Sequence, residues 1–304
     1  MFAYPHSHRS TPLLLTSHLD AVPPFYPYAY NSTTGLISGR GTVDDKACIA
    51  TQLQAILRLR KSAPALAAQT SLLFVTGEEV NGDGMRHAST SLAPSLSPPW
   101  RSVVFGEPTE HKLASGHKGF LAFHITVHGK TAHSGYPWLG HSATLGLIKA
   151  LNALLAASWP SSELYGNSTF NIGLLSGGAA ANVVAASARA ECSVRIAGGS
   201  PGVVRNLVRD TISSITDEKI DLEFVGATYG PQKLDHDVDG FETGTMNYGT
   251  DVPNLYGWKF KRYLYGPGSI SVAHGDHEGL MKDDLLRAVE GYERLIRVLG
   301  ERQE

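Results

Sequence analysis

Between the N-terminus and about residue 110, short apolar runs alternate with segments of helical period. The runs PLLLTSH, TSLLFVT and SVVFGE, rich in Val, Leu and Phe, predict buried strands. Between the first two, Asp44–Lys61 predicts a helix with Ile49, Leu53, Ile56 and Leu57 on its apolar face. Strands alternating with helices predict an α/β fold whose mostly parallel sheet is covered on both sides.

From Gly116 to Gly226 the order changes. GFLAFHITVHG alternates as a strand does, and His141–Ser158 reads as a helix with Leu147, Ile148, Leu151, Leu154 and Leu155 on its apolar side. STFNIGLLSGG and SARAECSVRIA are strands. Ser200 is a helix cap with Pro201 at the first position and Val204, Leu207, Val208, Ile212 and Ile215 inward, and IDLEFV closes the segment. The order βαββαβ fits a ferredoxin-like module inserted into the first domain. The predicted division is residues 1–115 and 227–304 as the two parts of one domain, with 116–226 inserted. The last part holds strand-like stretches at Lys259–Leu264 and Ser269–Ala273. It ends in a long helix with Leu285, Val289, Tyr292, Ile296 and Leu299 on one face.

Composition narrows the function classes. Hydrophobic residues make up 42% and charged residues 18% of the 304, which excludes intrinsic disorder. The net charge is 26 − 28 = −2, so no basic surplus exists to bind nucleic acid or an anionic membrane. No apolar stretch reaches the length of a membrane span. MFAYPHSHRS lacks the charged and apolar regions of a signal peptide, and the first strand follows so soon that either the domain starts abruptly or residues belong in front of it. Two cysteines, Cys48 and Cys192, cannot make a disulfide framework or a thiolate zinc site and read as small buried hydrophobes. Thirteen histidines beside 28 carboxylates leave N and O ligands for any metal.

The chemistry gathers at strand ends. His18 and Asp20 end the first strand, Asp44 and Asp45 sit in the turn SGRGTVDDK, Glu78 and Glu79 end the next strand, and Glu107 the one after. Ligands of open α/β sheets collect at the carboxyl ends of strands. So many like charges without paired Lys or Arg call for a cation among them. Imidazole with carboxylates suits Zn, Co, Mn or Ni, and with no His-Glu-x-x-His helix a two-metal site fits better than a single zinc. In His18-Leu19-Asp20 the first and third side chains share a face, so Asp20 can orient the imidazole. Glu78 and Glu79 diverge, so one can bind metal while the other serves as general base.

SHLD, GRGTVDDK, VTGEEV, FGEPTE, GKTAHSGYP and GPGSISVAHGDHE occur in this order. In them the chain resembles the dizinc family of aminoacylases, acetylornithine and succinyl-diaminopimelate deacetylases and glutamate-releasing carboxypeptidases. ISGRG, GEEVNGDGM and HSGYPWLG look like fungal secreted carboxypeptidase-like members, which leans toward an extracellular location. The resemblance implies a zinc-exopeptidase-like catalytic domain with an inserted dimerisation or lid domain. It also implies two zinc ions, replaceable by cobalt or manganese, and a homodimer. His18, Asp44, Glu79, Glu107 and His274 match metal ligands, with Asp44 bridging. Glu78 matches the general base, Asp20 the acid behind the first histidine, and His133 the histidine that stabilises an oxyanion in the partner subunit. Asn182 and Arg195, 13 positions apart, match a substrate-carboxylate clamp.

The implied activity is hydrolysis of an amide bond beside a free carboxylate in a small peptide or N-acyl amino acid. Carboxypeptidase, deacylase and dipeptidase all remain open. Ala185 stands where relatives often have Pro, and His277 where they usually have an acid. Family members also carry many tens of residues before the His-x-Asp strand where this chain has 17, which predicts apolar surface left open on the sheet. The competing expectation is a catalytically impaired or truncated chain that at most binds metal or ligand.

Overall fold

The computed structural model describes residues 1–5, 11–92, 100–215 and 217–302. Two compact units divide the chain: residues 1–116, 233–246 and 250–304 form the first, and 117–232 with 247–249 the second. The principal elements are β1 (Phe2–Ala3), β2 (Leu13–His18), α1 (Ala47–Ser62), β3 (Thr70–Val75), α2 (Asp83–Leu92), β4 (Ser102–Gly106), β5 (Gly119–His128), α3 (Ala143–Ala156), β6 (Thr169–Gly177), β7 (Ser187–Ile196), α4 (Pro201–Ser213), β8 (Lys219–Tyr229), β9 (Lys261–Tyr265) and α5 (Lys282–Glu301).

In the first unit five strands run in the order β1-β3-β2-β4-β9. All neighbours are parallel except β1, which adds antiparallel at the edge. Every residue of β2, β3 and β4 is buried, as expected of a sheet covered on both faces. Leu13 and Leu15 face the cluster built with Leu59 of α1 and Tyr292, Leu295 and Ile296 of α5. Leu14 faces the other side, with Met85 and Ala88 of α2. The open apolar face predicted from the short lead-in is therefore not found on these strands. An apolar groove of about 350 Å³ runs beside β1, its lining including Phe2, Leu19 and Leu73.

Three sequence expectations need correction here. The helix α1 starts at Ala47 rather than Asp44, because Asp44 (φ −118°, ψ 90°) and Asp45 (φ −135°, ψ 21°) are not helical. Of its expected apolar face Ile49 and Ile56 pack partly buried on the core while Leu53 and Leu57 are exposed, and the buried positions are Ala47, Cys48, Thr51, Gln52, Ala55 and Leu59. The cause is close approach of helix to sheet. A Cβ at Gly106 would lie 2.7 Å from Cys48 Cβ and 2.1 Å from Ser17 Oγ, so only small side chains and a paired glutamine fit. Gln52 Nε2 donates to the Thr16 carbonyl at 3.1 Å and to Ser17 Oγ at 3.0 Å. Ser269–Ala273 is a run of turns and no strand. Val272 N–H donates to the Ser269 carbonyl, and its side chain packs with Val43, Ala47 and Leu280.

The second unit is an antiparallel sheet in the order β6-β7-β5-β8 with α3 and α4 packed on it, the βαββαβ arrangement expected. Phe123, Ile125, Ala190 and Val194 point inward against Leu147, Leu151, Leu154, Val204 and Val208. Ser200 Oγ caps α4 by accepting from Val203 N–H, with Pro201 at the first position. The strand β8 runs past a bulge to Tyr229, carrying the unit beyond Gly226. Ile148 and Leu155, expected inside, are exposed on α3 together with Leu145, and the edge strand β6 exposes Leu174 and Leu175. Both cysteines are free and buried. Among the described residues no helix is long and apolar enough to cross a membrane.

Candidate metal centre

Parallel register brings the chemistry to one edge of the first unit's sheet. His18 lies opposite Val75, and Thr16 opposite Phe105. His18 is therefore at the carboxyl end of β2, Glu78 and Glu79 just beyond β3, and Glu107 directly after β4. The turn before α1 adds Asp44, and the turn segment after β9 adds His274.

Donor atoms of His18, Asp44 and Glu107 lie within 4.8 Å of one another, and so do those of Asp44, Glu79 and His274. Asp44 belongs to both groups. Its Oδ1 is 2.8 Å from His18 Nε2, and its Oδ2 is 3.3 Å from His274 Nε2. His274 Nε2 also stands 3.1 Å from Glu79 Oε2. The backbone at His274 is left-handed, φ 63°, a conformation that costs a non-glycine residue about 1–2 kcal/mol and needs outside support.

Behind the first histidine, Nδ1 is 3.2 Å from the Asp20 carbonyl oxygen and 3.5 Å from Asp20 Oδ1. A carbonyl only accepts, so Nδ1 donates to it, and Nε2 donates to the Asp44 carboxylate; burial works to lower the imidazole, but Asp20 and Asp44 outweigh it and raise it well above its ordinary range. Asp20 Oδ2 in turn accepts from the Glu79 backbone N–H at 3.3 Å. One acid thus orients the first histidine and holds the turn bearing Glu79.

Electrostatics record the crowding. Burial pushes Glu78 up to about 8, against the pull of His18 and with the negative charges of Asp251, Asp44 and Glu79 adding to it. Glu107 is raised well above the ordinary range by burial and then by Glu78 and Asp44. Burial works to raise Asp44, but hydrogen bonds from His18 and His274 outweigh it and hold the carboxylate below its usual range. His274 is raised to about 10 by its hydrogen bonds to Asp44 and Glu79. Buried oxygens Oε1 of Glu79, Oδ1 of Asp20 and Oδ1 of Asp45 have no hydrogen-bond partner. Acids forced to hold protons, and orphan carboxylate oxygens beside two imidazoles, fit a pair of divalent cations sharing Asp44.

Some residues escaped sequence reasoning. Asp251 is buried and lines one narrow cavity with His18, Glu78 and Glu107; its segment, TDVPN, reads only as a turn. Asp45 is more than a neighbour, since it is fully buried and its Oδ2 accepts from the His18 backbone N–H at 3.3 Å. Arg40 and Glu278 form a buried ion pair at 2.7 Å beside the two ligand turns. Glu278 stands in the GDHE motif, but no sequence signal joins it to a residue 238 positions away.

The remaining candidates lie in the second unit. His133 and Asn182 come together there: Ser134 N–H donates to the Asn182 carbonyl at 3.0 Å, and His133 bridges to Val183. His133 is exposed, and its Nδ1 accepts from Gly135 N–H at 3.0 Å. Arg195 sits near the far end of β7 with its guanidinium 4.8 Å above the Phe120 ring, while Glu191 pairs with Arg189. Asn182 precedes β7 and Arg195 nearly ends it, so one chain does not bring the two side chains together.

Comparison with known proteins places this arrangement. Residues 115–219 match the family model described as a peptidase dimerisation domain, and residues 2–104 that of peptidase family M28. A "Probable carboxypeptidase" of Uncinocarpus reesii is 47% identical over 333 residues, spanning 99% of this chain and 74% of the relative. The chain belongs to the aminoacylase, deacetylase and carboxypeptidase family of metallopeptidases. A "Probable carboxypeptidase" of Aspergillus niger is 48% identical, covering 99% of this metallopeptidase chain and 77% of its own. Solved structures agree in fold. A tripeptidase of Staphylococcus aureus superposes with TM-score 0.79 at 19% identity, over 99% of this chain and 84% of that one. An M20 family metallo-carboxypeptidase of Sulfolobus solfataricus gives 0.72 at 17%, over 98% and 87%.

Proposed function

We propose that this metallopeptidase hydrolyses an amide bond beside a free carboxylate, in a small peptide or N-acyl amino acid, with two zinc ions as its working metals. The observation that carries the reading is that Asp44 belongs to both groups of potential ligands. His18 and Glu107 would hold one ion and Glu79 and His274 the other, with cobalt or manganese able to replace zinc. Bound there, the ions supply Lewis-acid polarisation of the scissile carbonyl and a more acidic attacking water.

Glu78 stands outside both ligand groups yet shares the cavity with His18 and Glu107. Its carboxylate takes the proton of the attacking water and returns it to the leaving nitrogen. Asp20 holds the Nδ1 proton of His18, so that Nε2 is the nitrogen offered to an ion. The exposed His133 donates to the developing oxyanion of the partner subunit, acting with Asn182, whose backbone holds the same loop. Arg195 offers a guanidinium fork for the substrate carboxylate. The dimerisation-domain match and the exposed leucines of α3 and the edge strand β6 support a homodimer joined through the second unit.

The relatives' printed names favour carboxypeptidase over deacylase. An intact Glu78 disfavours a non-catalytic ligand-binding chain. The test is a panel of short peptides and N-acyl amino acids offered to the zinc-loaded protein, each with a free or an amidated C-terminus. Release confined to the free acids supports the reading. Equal cleavage of the amidated set rejects it.

A further inference from the structure

One buried ion pair touches both turns that supply ligands. The Arg40 side chain is 4% exposed and that of Glu278 1%, and Arg40 Nη1 donates to Glu278 Oε2 at 2.7 Å. The other carboxylate oxygen of Glu278, Oε1, accepts from the backbone N–H groups of Val43 at 3.0 Å and Asp44 at 3.2 Å. Arg40 Nη2 donates to the carbonyl of His274 at 3.1 Å, at the residue whose backbone is left-handed. The same guanidinium reaches back with Nε to the Pro24 carbonyl at 3.3 Å and lies 5.1 Å above the Tyr26 ring, in the loop that follows His18 and Asp20.

Chain pairing explains how residues so distant meet. Leu36–Ser38 runs antiparallel to Gly279–Met281, and Gly39 N–H donates to the Glu278 carbonyl at 3.1 Å. This ladder delivers the Glu278 carboxylate beneath the turn of Asp44 and leaves Arg40 beside His274. Neither side chain is among the candidate ligands.

We propose that Arg40 and Glu278 are positioning residues that set the Asp44 carboxylate and the His274 imidazole at the spacing two cations require. The inference rests on the dinuclear reading given above. Glu278 fixes the backbone from which the shared carboxylate projects, and Arg40 fixes the carbonyl of the turn that bears His274. Taking both charges out of water is costly, and a pair of similar-sized apolar side chains often stabilises a fold as well or better. The pair is therefore better explained by the direction it gives to hydrogen bonds than by the stability it adds.

The experiment measures zinc affinity by chelator competition on the full chain, together with the visible spectrum of the cobalt-loaded protein and the melting of the metal-free form. The variants are Glu278→Gln, Arg40→Lys and the apolar double change R40M/E278L. The expected result is zinc affinity weakened 10- to 100-fold, with an altered cobalt spectrum. Metal-free melting of the double variant stays near that of the parent. Should the double variant fail to fold, Glu278→Gln and Arg40→Lys, which keep volume or charge, carry the measurement. Unchanged zinc affinity and cobalt spectrum in folded variants overturn the positioning role, even if melting falls. A parent protein that binds no zinc at all overturns the dinuclear reading itself, and is told apart because it needs no variant.

Discussion

Asp44 and His18 face each other 2.8 Å apart, Oδ1 to Nε2, at the ends of two elements that α1 and the sheet hold together. The second carboxylate oxygen of Asp44 is left for His274. One side chain therefore serves two ligand groups, and its loss should differ in kind from the loss of either histidine. Asp44→Asn is expected to drop bound zinc from two toward none, and His274→Ala to remove one ion only. Elemental analysis after dialysis checks both. Two zinc ions retained by Asp44→Asn would refute the sharing.

Glu78 carries the second prediction. Removing a general base commonly costs about 10²–10⁴ in rate. Glu78→Gln should lose that much in kcat while zinc content and KM stay close to those of the parent. Near-normal turnover with both ions bound assigns the proton transfer to another group.

A third prediction concerns pH and the second unit. His117 is fully buried, and burial holds its imidazole down to about 4, helped by Arg195, although the Lys118 carbonyl accepts from it. Unfolded, the ring titrates near 6.5, so below that pH the unfolded chain takes a proton that the folded chain refuses. Stability is fully present above pH 6.5 and falls as pH drops from 6.5 toward 4. The loss from this group is on the order of 3 kcal/mol at most, from 2.5 pH units at about 1.4 kcal/mol each. Urea unfolding at pH 7 and 4.5 measures it. His117→Gln should flatten that difference relative to the parent, and an identical slope would show that His117 contributes nothing.

The fourth concerns assembly. Leu174 and Leu175 on the open edge strand and Ile148 on α3 are all more than half exposed. Leu174→Lys with Ile148→Asp should convert the dimer to monomer in sedimentation, and, if His133 works across subunits, reduce turnover by about 10²–10³ as loss of an oxyanion donor does. Monomers with full activity would place His133 outside the reaction.

What the sequence revealed follows from how local each signal is. Apolar runs marked β2, β3 and β4, and a parallel sheet must put the residues after each run on one edge, so His18, Glu79 and Glu107 were legible as a group. Alternation and capping likewise disclosed the second unit, down to Ser200 before α4. The inward face of α1 was legible only at Ile49 and Ile56, because its buried positions are decided by the missing side chain of Gly106 across from it. The failure at Ser269–Ala273 has the same origin, since Val272 turns toward Val43 and Leu280 from distant segments. Asn182 and Arg195 looked like partners by spacing, but Asn182 precedes β7 and Arg195 stands near its end, so the strand keeps the side chains of one chain apart. Arg40 and Glu278 pair across most of the chain length, beyond any pattern read along it.

The ligand set runs from His18 to His274, and both ends of that span lie in the first unit, on either side of the inserted one. The donors meet only once the chain has returned to the first unit beyond the inserted one, so a cation held there would bind late in folding. Zinc should thus leave the refolding rate of this protein untouched and act as a latch that slows its opening.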